Sequence, residues 1–412
     1  MSRSWWVLGL LPSLAVAQVD SAVVQTAHWS HRLTITSEAG YDSNVLDNAL
    51  VWGLVQGENL SRDTRLHGLE ALGSNNRLGL AVQGTATLTW QDNLFGWENW
   101  MPRISLSHRD LLGIRFTKDA YDLTFFGNAP FEDRVANLGP SAFEQVTFQT
   151  LAFGMEHRTT GTFLEAGVVN GMHLNTGKLN QADLYTAPDG RFLNLELDGH
   201  YERSDTAENQ LSKGLGLVIN LQWSHRFHGL GGVQKLTCSA TDVGFVVWGP
   251  RSLSASKDSS IHFEGMRVEN IMDLEGLILD EHRLQDSLGL GYSPGGTTKL
   301  LPARFAAELQ FGPLLTLRSA RQQQAFVVSV DQLVLPGHLP HASLRWNTAL
   351  FHVLMATVGV SNGGSGGLRA QTGLEAAIGQ HLQLGVALPN VIGLFSDQAN
   401  GKALAGRLEV CW

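Results

Sequence analysis

The run Gly363-Gly364-Ser365-Gly366-Gly367 has the G-x-S-x-G spacing of a nucleophile elbow. That chemistry needs a strand before the serine and a helix after it, so that a strained turn presents the hydroxyl. Here strand patterns flank both sides and the serine's neighbours are all glycine, so the run reads as a flexible hairpin loop. Three histidine pairs stand at i,i+3 spacing: His28/His31, His225/His228 and His338/His341. At that spacing two imidazoles share a metal only from one face of a helix, and on a strand they point to opposite faces. These pairs fall on strand patterns or in Pro-containing loops. The adjacent Ser224 and His225 also diverge on a strand, which removes the Ser–His pair that a membrane lipid hydrolase needs. Two cysteines, Cys238 and Cys411, are too few for a disulfide framework or a four-cysteine zinc site. One bridge between them is open, and two thiols are the simpler reading. The residues therefore imply no catalytic group, no metal and no cofactor, and the expectation is a non-enzyme.

Composition points the same way. Charged residues are 16% of the 412, against about 25% in ordinary soluble domains. Lys+Arg number 29 against 38 Asp+Glu, a formal net charge of −9. That balance excludes a nucleic-acid partner, which would need a basic patch or stripe. Residues 1–17, MSRSWWVLGLLPSLAVA, carry a basic Arg3, a short apolar core and an Ala-Val-Ala end. This is the pattern of a secretory signal peptide, too short to remain as a membrane span. The expectation is an exported chain whose residues 18–412 form a single domain.

The dominant period after about residue 75 is two, the signature of strands between unlike environments. In Lys213–Phe227, Leu215, Leu217, Ile219, Leu221 and Trp223 share a face, opposed by Gly216, Asn220, Gln222, Ser224 and Arg226. In Arg191–Arg203, Leu193, Leu195 and Leu197 oppose Glu196, Asp198, His200 and Glu202, and Phe305 and Leu309 oppose Arg304 and Glu308. Several runs reach the length of about 9–11 residues that a tilted strand needs to cross a bilayer. Turn residues separate them, such as Pro188-Asp189-Gly190 and Asn400-Gly401.

The fold class expected is an all-β transmembrane antiparallel barrel with short helical plug or loop segments. At about 25 residues per strand and turn it has about 14 strands, within a range of about 12–16. The polar faces give lumen-lining candidates: Glu196, Asp198, His200, Asn220, Arg226, Arg304, Glu308 and Arg407, with Glu202, Gln222, Arg369, Glu375 and Glu409 on the same pattern. A helical insert is expected at about 43–73, with Ser43 as candidate cap and Gly57 as a stop. An acidic helix-like loop is expected at about 265–288. Ala403–Trp412 alternates and ends on an aromatic residue, which makes it the candidate closing strand. In this it resembles the last strand of bacterial outer-membrane barrels, a resemblance that implies Trp412 is an assembly signal.

The segments AGYDSNVLDNAL (Ala39–Leu50), NNRLGL (Asn75–Leu80), DVGFVVW (Asp242–Trp248), FEGMRVENIM (Phe263–Met272) and LLP (Leu300–Pro302) occur in order. With them the chain resembles a family of uncharacterised Bacteroidetes outer-membrane barrels. The resemblance implies a barrel of the broad FadL-like type in the bacterial outer membrane. It also implies a channel or transporter for a small hydrophobic solute. The alternative is a non-transporting scaffold for a periplasmic or surface partner. Outer-membrane lipid, the barrel assembly machinery and a hydrophobic small molecule are the partners expected. The resemblance brings no ligand-binding residues.

Overall fold

The computed structural model describes residues 30–205, 211–227, 233–263, 291–313, 324–351 and 353–412. The expected signal peptide at 1–17 and the expected helix-like loop at about 265–288 lie outside these residues. In chain order the strands are β1 (His31–Ser43), β2 (Asn76–Trp90), β3 (Trp100–Phe116), β4 (Arg134–Asn137), β5 (Ser141–His157), β6 (Phe163–Thr186) and β7 (Leu193–Arg203). Then come β8 (Gly214–Arg226), β9 (Val233–Trp248), β10 (Leu253–Phe263), β11 (Ser293–Pro294), β12 (Thr298–Leu300) and β13 (Arg304–Phe311). The last are β14 (Gln324–Leu333), β15 (Leu339–Phe351), β16 (Leu354–Gly364), β17 (Arg369–Ile378), β18 (Leu382–Leu388) and β19 (Lys402–Cys411).

Fourteen of these close an antiparallel barrel: β1-β2-β3-β5-β6-β8-β9-β13-β14-β15-β16-β17-β18-β19 and back to β1. Closure runs from Arg32↔Cys411 to Tyr41↔Lys402, so the terminal strand seals the ring as its alternation suggests. A closed ring has no unpaired edge. Among the described residues, no helix is long and apolar enough to cross a membrane.

The two rims differ. At the end that carries His31 and Trp412, connections such as Arg158–Thr162 are short. At the other end, apart from the short connections after β14 and β16, the connections are longer, and they hold α1 (Asn48–Gln56), α2 (Arg62–Ala71), α3 (Lys118–Phe126) and α4 (Val391–Phe395). The cap of α1 is Asp47, not Ser43: the Asp47 carboxylate accepts from Leu50 N at 2.8 Å. Ser43 instead ends β1, donating to the Arg77 carbonyl at 2.6 Å and accepting from Leu46 N at 2.9 Å. Gly57 stops α1 at φ 69°, a backbone that favours glycine. Ser61 caps α2 through Thr64 N. Leu46, Leu50, Val51 and Leu72 from this insert pack with Tyr41 and with Tyr121 of α3. Burial pushes the Tyr121 hydroxyl up to about 12, and the nearby Asp47 carboxylate adds to the rise.

Strand β6 is longer than the ring needs. Its first half pairs with β8, from Phe163↔Gln222 to Gly171↔Gly214. Its second half pairs with β7, from Asn175↔Arg203 to Thr186↔Leu193, and β7 pairs with β10. Strands β7 and β10 thus form a blade with the upper part of β6, beyond the ring. Glu196, Asp198 and His200 sit on that blade and not on the wall of the lumen. The reason is topological: β7 alternates as regularly as β8, but the partner of each is fixed by where β6 continues past the rim.

Candidate functional site: the barrel lumen

Strand alternation sends one set of side chains outward. Leu217, Ile219, Phe305, Phe326, Val358 and Leu374 are all exposed and apolar on the outer wall. The opposite set meets inside, and much of it is ionic. The Glu156 carboxylate accepts from Arg32 at 2.5 Å and from Arg103 at 2.8 Å. Arg103 Nε also donates to Glu165 at 2.9 Å. Glu165 Oε1 accepts from Ser105 and from Asn220, each at 2.8 Å. Asn220 Oδ1 in turn accepts from Asp242 N at 2.6 Å. Asp242 has φ 56°, in the left-handed region, and the β8–β9 register shifts beside it, between Ile219 and Leu221. That bulge aims its carboxylate at Arg109 Nε, 3.0 Å away on β3. The pair ties together strands that are not neighbours in the ring.

The long-loop half of the same wall is apolar. Leu111, Val146, Phe148, Val169, Leu174, Val218, Val246, Trp248 and Leu301 form one buried cluster, with Ala81 and Leu335 packed on it. Apart from Leu301 and Leu335, these are inward positions of β2, β3, β5, β6, β8 and β9.

Leu335 belongs to the β14–β15 connection, residues 334–338, which crosses the lumen. A Cβ on Gly113 of β3 would lie 2.5 Å from the Pro336 carbonyl, and one on Gly337 would strike the Ile114 carbonyl. Only glycine permits this approach from both sides. The Gly363–Gly367 run is a hairpin between β16 and β17, and it is held in place, which overturns the reading of it as flexible. Ser365 is 7% exposed, and its Oγ occupies the space a Cβ on Gly79 would need. Arg77 donates to the Gly366 carbonyl at 3.1 Å, and Arg369 pairs with Asp42 while donating to the Gly363 carbonyl at 2.8 Å.

Of the sequence candidates, Asn220, Arg304, Glu308 and Arg407 stand at inward register positions of the ring. Arg304 Nε meets Asp331 at 3.2 Å, which also takes His341 Nδ1 at 2.8 Å. Glu308 pairs with Arg345, and Arg407 with Glu409 at 2.6 Å. Arg226 lies opposite Lys235 at the short-turn end of β8. On the blade, Glu202 meets His200 at 3.0 Å and also pairs with Lys299. Burial works to raise the Glu202 carboxyl, but these two partners hold it below its usual range. Cys238 and Cys411 form no disulfide. Among the described residues, no group of three His, Cys, Asp or Glu is placed to hold a metal. Trp412 stacks on His31 with ring centroids 5.4 Å apart.

Sequence reading missed Arg32, Arg103, Arg109, Glu156, Glu165 and Asp242, and the whole apolar cluster. The signal for Arg109 was faint, because Leu111-Leu112-Gly113-Ile114 is apolar on both faces and hides the period of β3.

A closed antiparallel β-barrel with a crossed and partly apolar lumen is the class that fold and site define. No protein-family model matches the chain, and no curated protein matches it. Solved structures that overlay on it include a deletion mutant of the TodX monoaromatic hydrocarbon channel (10% identity, 97% of this chain and 95% of that one, TM-score 0.46). The Ralstonia pickettii toluene transporter TbuX overlays at 8% identity, covering 94% and 90%, with TM-score 0.40. The translocator domain of the autotransporter NalP from Neisseria meningitidis does so at 9% identity, covering 95% and 90%, with TM-score 0.33.

Proposed function

We propose that the chain is a bacterial outer-membrane barrel that passes a small hydrophobic solute, a channel of the FadL-like kind. The outward apolar wall supports burial in lipid, where a closed ring pairs every backbone group. The long connections would face outside and the short turns the periplasm, as in barrels of this kind. Trp412 would then serve as the signal read by the assembly machinery.

The observation that carries the solute is the apolar cluster beneath the crossing connection at 334–338. Ion pairs and hydrogen bonds fill the rest of that wall. An apolar cluster covered by one connection would part to admit an apolar molecule when the connection moves and would exclude ions. Trp248 reports on the cluster. In the detergent-solubilised barrel, iodobenzene should quench its fluorescence saturably, and Trp248→Phe should remove the saturable component. Quenching that stays linear with concentration in both proteins would contradict the reading. A second reading, a non-transporting scaffold, is favoured by the Arg109–Asp242 and Arg32–Glu156–Arg103–Glu165 ties across the lumen. It expects that linear result.

A further inference from the structure

Helices α1, α2 and α3 lie against the outside of the barrel. Along β1, Arg32 reaches Glu156 inside the ring and Asp42 pairs with Arg369, so Tyr41 turns outward with Ala39. Its register partner Leu80 on β2 faces outward too, as do Leu78 and, on β3, Phe116. Tyr41 is nevertheless only 7% exposed, because Leu46, Leu50, Val51 and Tyr121 cover it together with these neighbours. The three helices thus form a collar over the outer ends of β1–β3. Asn48 of α1 joins α4 to it: its side chain accepts from the Tyr41 hydroxyl at 2.9 Å and donates to the Gly393 and Ser396 carbonyls at 2.9 and 2.7 Å.

The helices present different surfaces. α2 carries Arg62, Asp63, Arg65 and Glu70. α1 (NALVWGLVQ) and α4 (VIGLF) carry no charge at all. Their side chains Trp52, Leu54, Val55, Ile392, Leu394 and Phe395 are exposed, Phe395 at 80%. An exposed group of large apolar residues on adjoining elements marks a surface that water is not meant to cover. This one continues the outer wall. Trp52 stacks on Tyr41 with ring centroids 6.5 Å apart. One outward step down β1, Ala39 stands between Leu404 of β19 and Val82 of β2, both exposed.

We propose that α1 and α4 form a membrane-docking surface, with these six side chains among the acyl chains of the outer leaflet. Helices of this kind lie in the membrane plane with their apolar face about 5–10 Å into the headgroup boundary. Trp52 marks that level, where aromatic rings collect. The charged α2 stays on the water side. The proposal rests on the outer-membrane part of the reading above and needs no solute.

Nitroxide labels on Val55→Cys and Phe395→Cys test this, each in the full barrel with Cys238→Ser and Cys411→Ser, folded into phosphatidylcholine vesicles. Relaxation of each label by oxygen, which concentrates among acyl chains, is compared with relaxation by a water-soluble nickel chelate. Val358→Cys on the outer wall and Asp189→Cys on an exposed turn of the blade give the lipid and water references. The heat-modifiable gel shift of each variant identifies folded protein. Labels at 55 and 395 should resemble the one at 358, with oxygen dominant and a depth of about 5–10 Å below the headgroups. Nickel access there as high as at 189 would overturn the proposal. Low access to both reagents would overturn it as well, because a protein partner or a second copy would then cover the patch. Nickel access at 358 equal to that at 189 would overturn the membrane reading and this proposal with it. Loss of iodobenzene quenching at Trp248 would bear only on the solute.

Discussion

The inner faces of two walls of this barrel are built on opposite plans. From β3 to β9, inward positions carry Arg103, Arg109, Leu111, Phe148, Glu165, Val218, Asp242 and Val246, tied or packed until nothing is left open. From β16 to β19 small inward residues, Gly359, Gly373, Gly385, Ala387 and Ala405, alternate with the inward Gln371, Glu375, Arg407 and Glu409. The outer faces of both walls are alike, with Leu217 and Ile219 on one and Val358 and Leu374 on the other. Alternation therefore sets the environment of each face, and the size of the inward residue sets how it is filled. One side of this barrel packs large apolar side chains together, and the other buries small residues such as Ala387 and Ala405 beneath polar ones.

The largest effect expected is on closure itself, which both walls need. Deleting Ala403–Trp412 strips β1 and β18 of a partner, at several kcal/mol for each backbone group left unpaired in lipid. No heat-modifiable folded barrel should appear in outer-membrane fractions, and Trp412→Ala should lower its yield more than Cys411→Ala.

The contrast between the walls is sharpened by a matched pair. Phe148→Ala in the packed wall should cost about 3–5 kcal/mol. Ala387→Val should cost less, about 1–2 kcal/mol, because the cavity of about 20 Å³ beside it takes only part of the added volume. Urea unfolding in detergent, followed by gel shift, measures both. Equal costs would break the comparison. On the outer face, Leu217→Arg should cost about 2–4 kcal/mol in lipid if that residue sits near mid-membrane. The same unfolding measurement in vesicles checks it.

Smaller effects belong to the connections that enter the lumen. Gly113→Val sets a branched side chain against the Pro336 carbonyl, which should cost about 1–3 kcal/mol as overpacking. Shortening Gly363–Gly367 removes the anchor that Arg77 and Arg369 hold. It should leave the ring assembled and lower the unfolding midpoint slightly.

How much of this was legible in the sequence depends on how cleanly each strand alternates. In β8, Leu215, Leu217, Ile219 and Leu221 face out without a break, so the outward face and the inward Asn220 could be read directly. In β3, apolar residues stand on both faces, and Leu111 makes sense only once Leu335 reaches it from another connection. β7 alternates well and still lies off the ring, because the length of β6 decides the partner of β7. The hairpin at Gly363–Gly367 looked free because its anchors, Asp42 and Arg77, are distant in sequence. The barrel class and the closing strand follow from local pattern. The filling of the lumen follows from contacts between distant segments, which no local period encodes.

The central claim is that the connection at 334–338 covers the apolar cluster, and one measurement addresses it directly. Val246→Cys, in a Cys238→Ser/Cys411→Ser background, places a single thiol in the buried cluster. Its rate of reaction with a membrane-impermeant maleimide is compared with that of a variant whose 334–338 connection is cut to a two-residue turn. The structure predicts slow labelling with the connection intact and labelling about tenfold faster or more without it, the scale of losing a cover worth about 1.4 kcal/mol. The same rate in both proteins would contradict it.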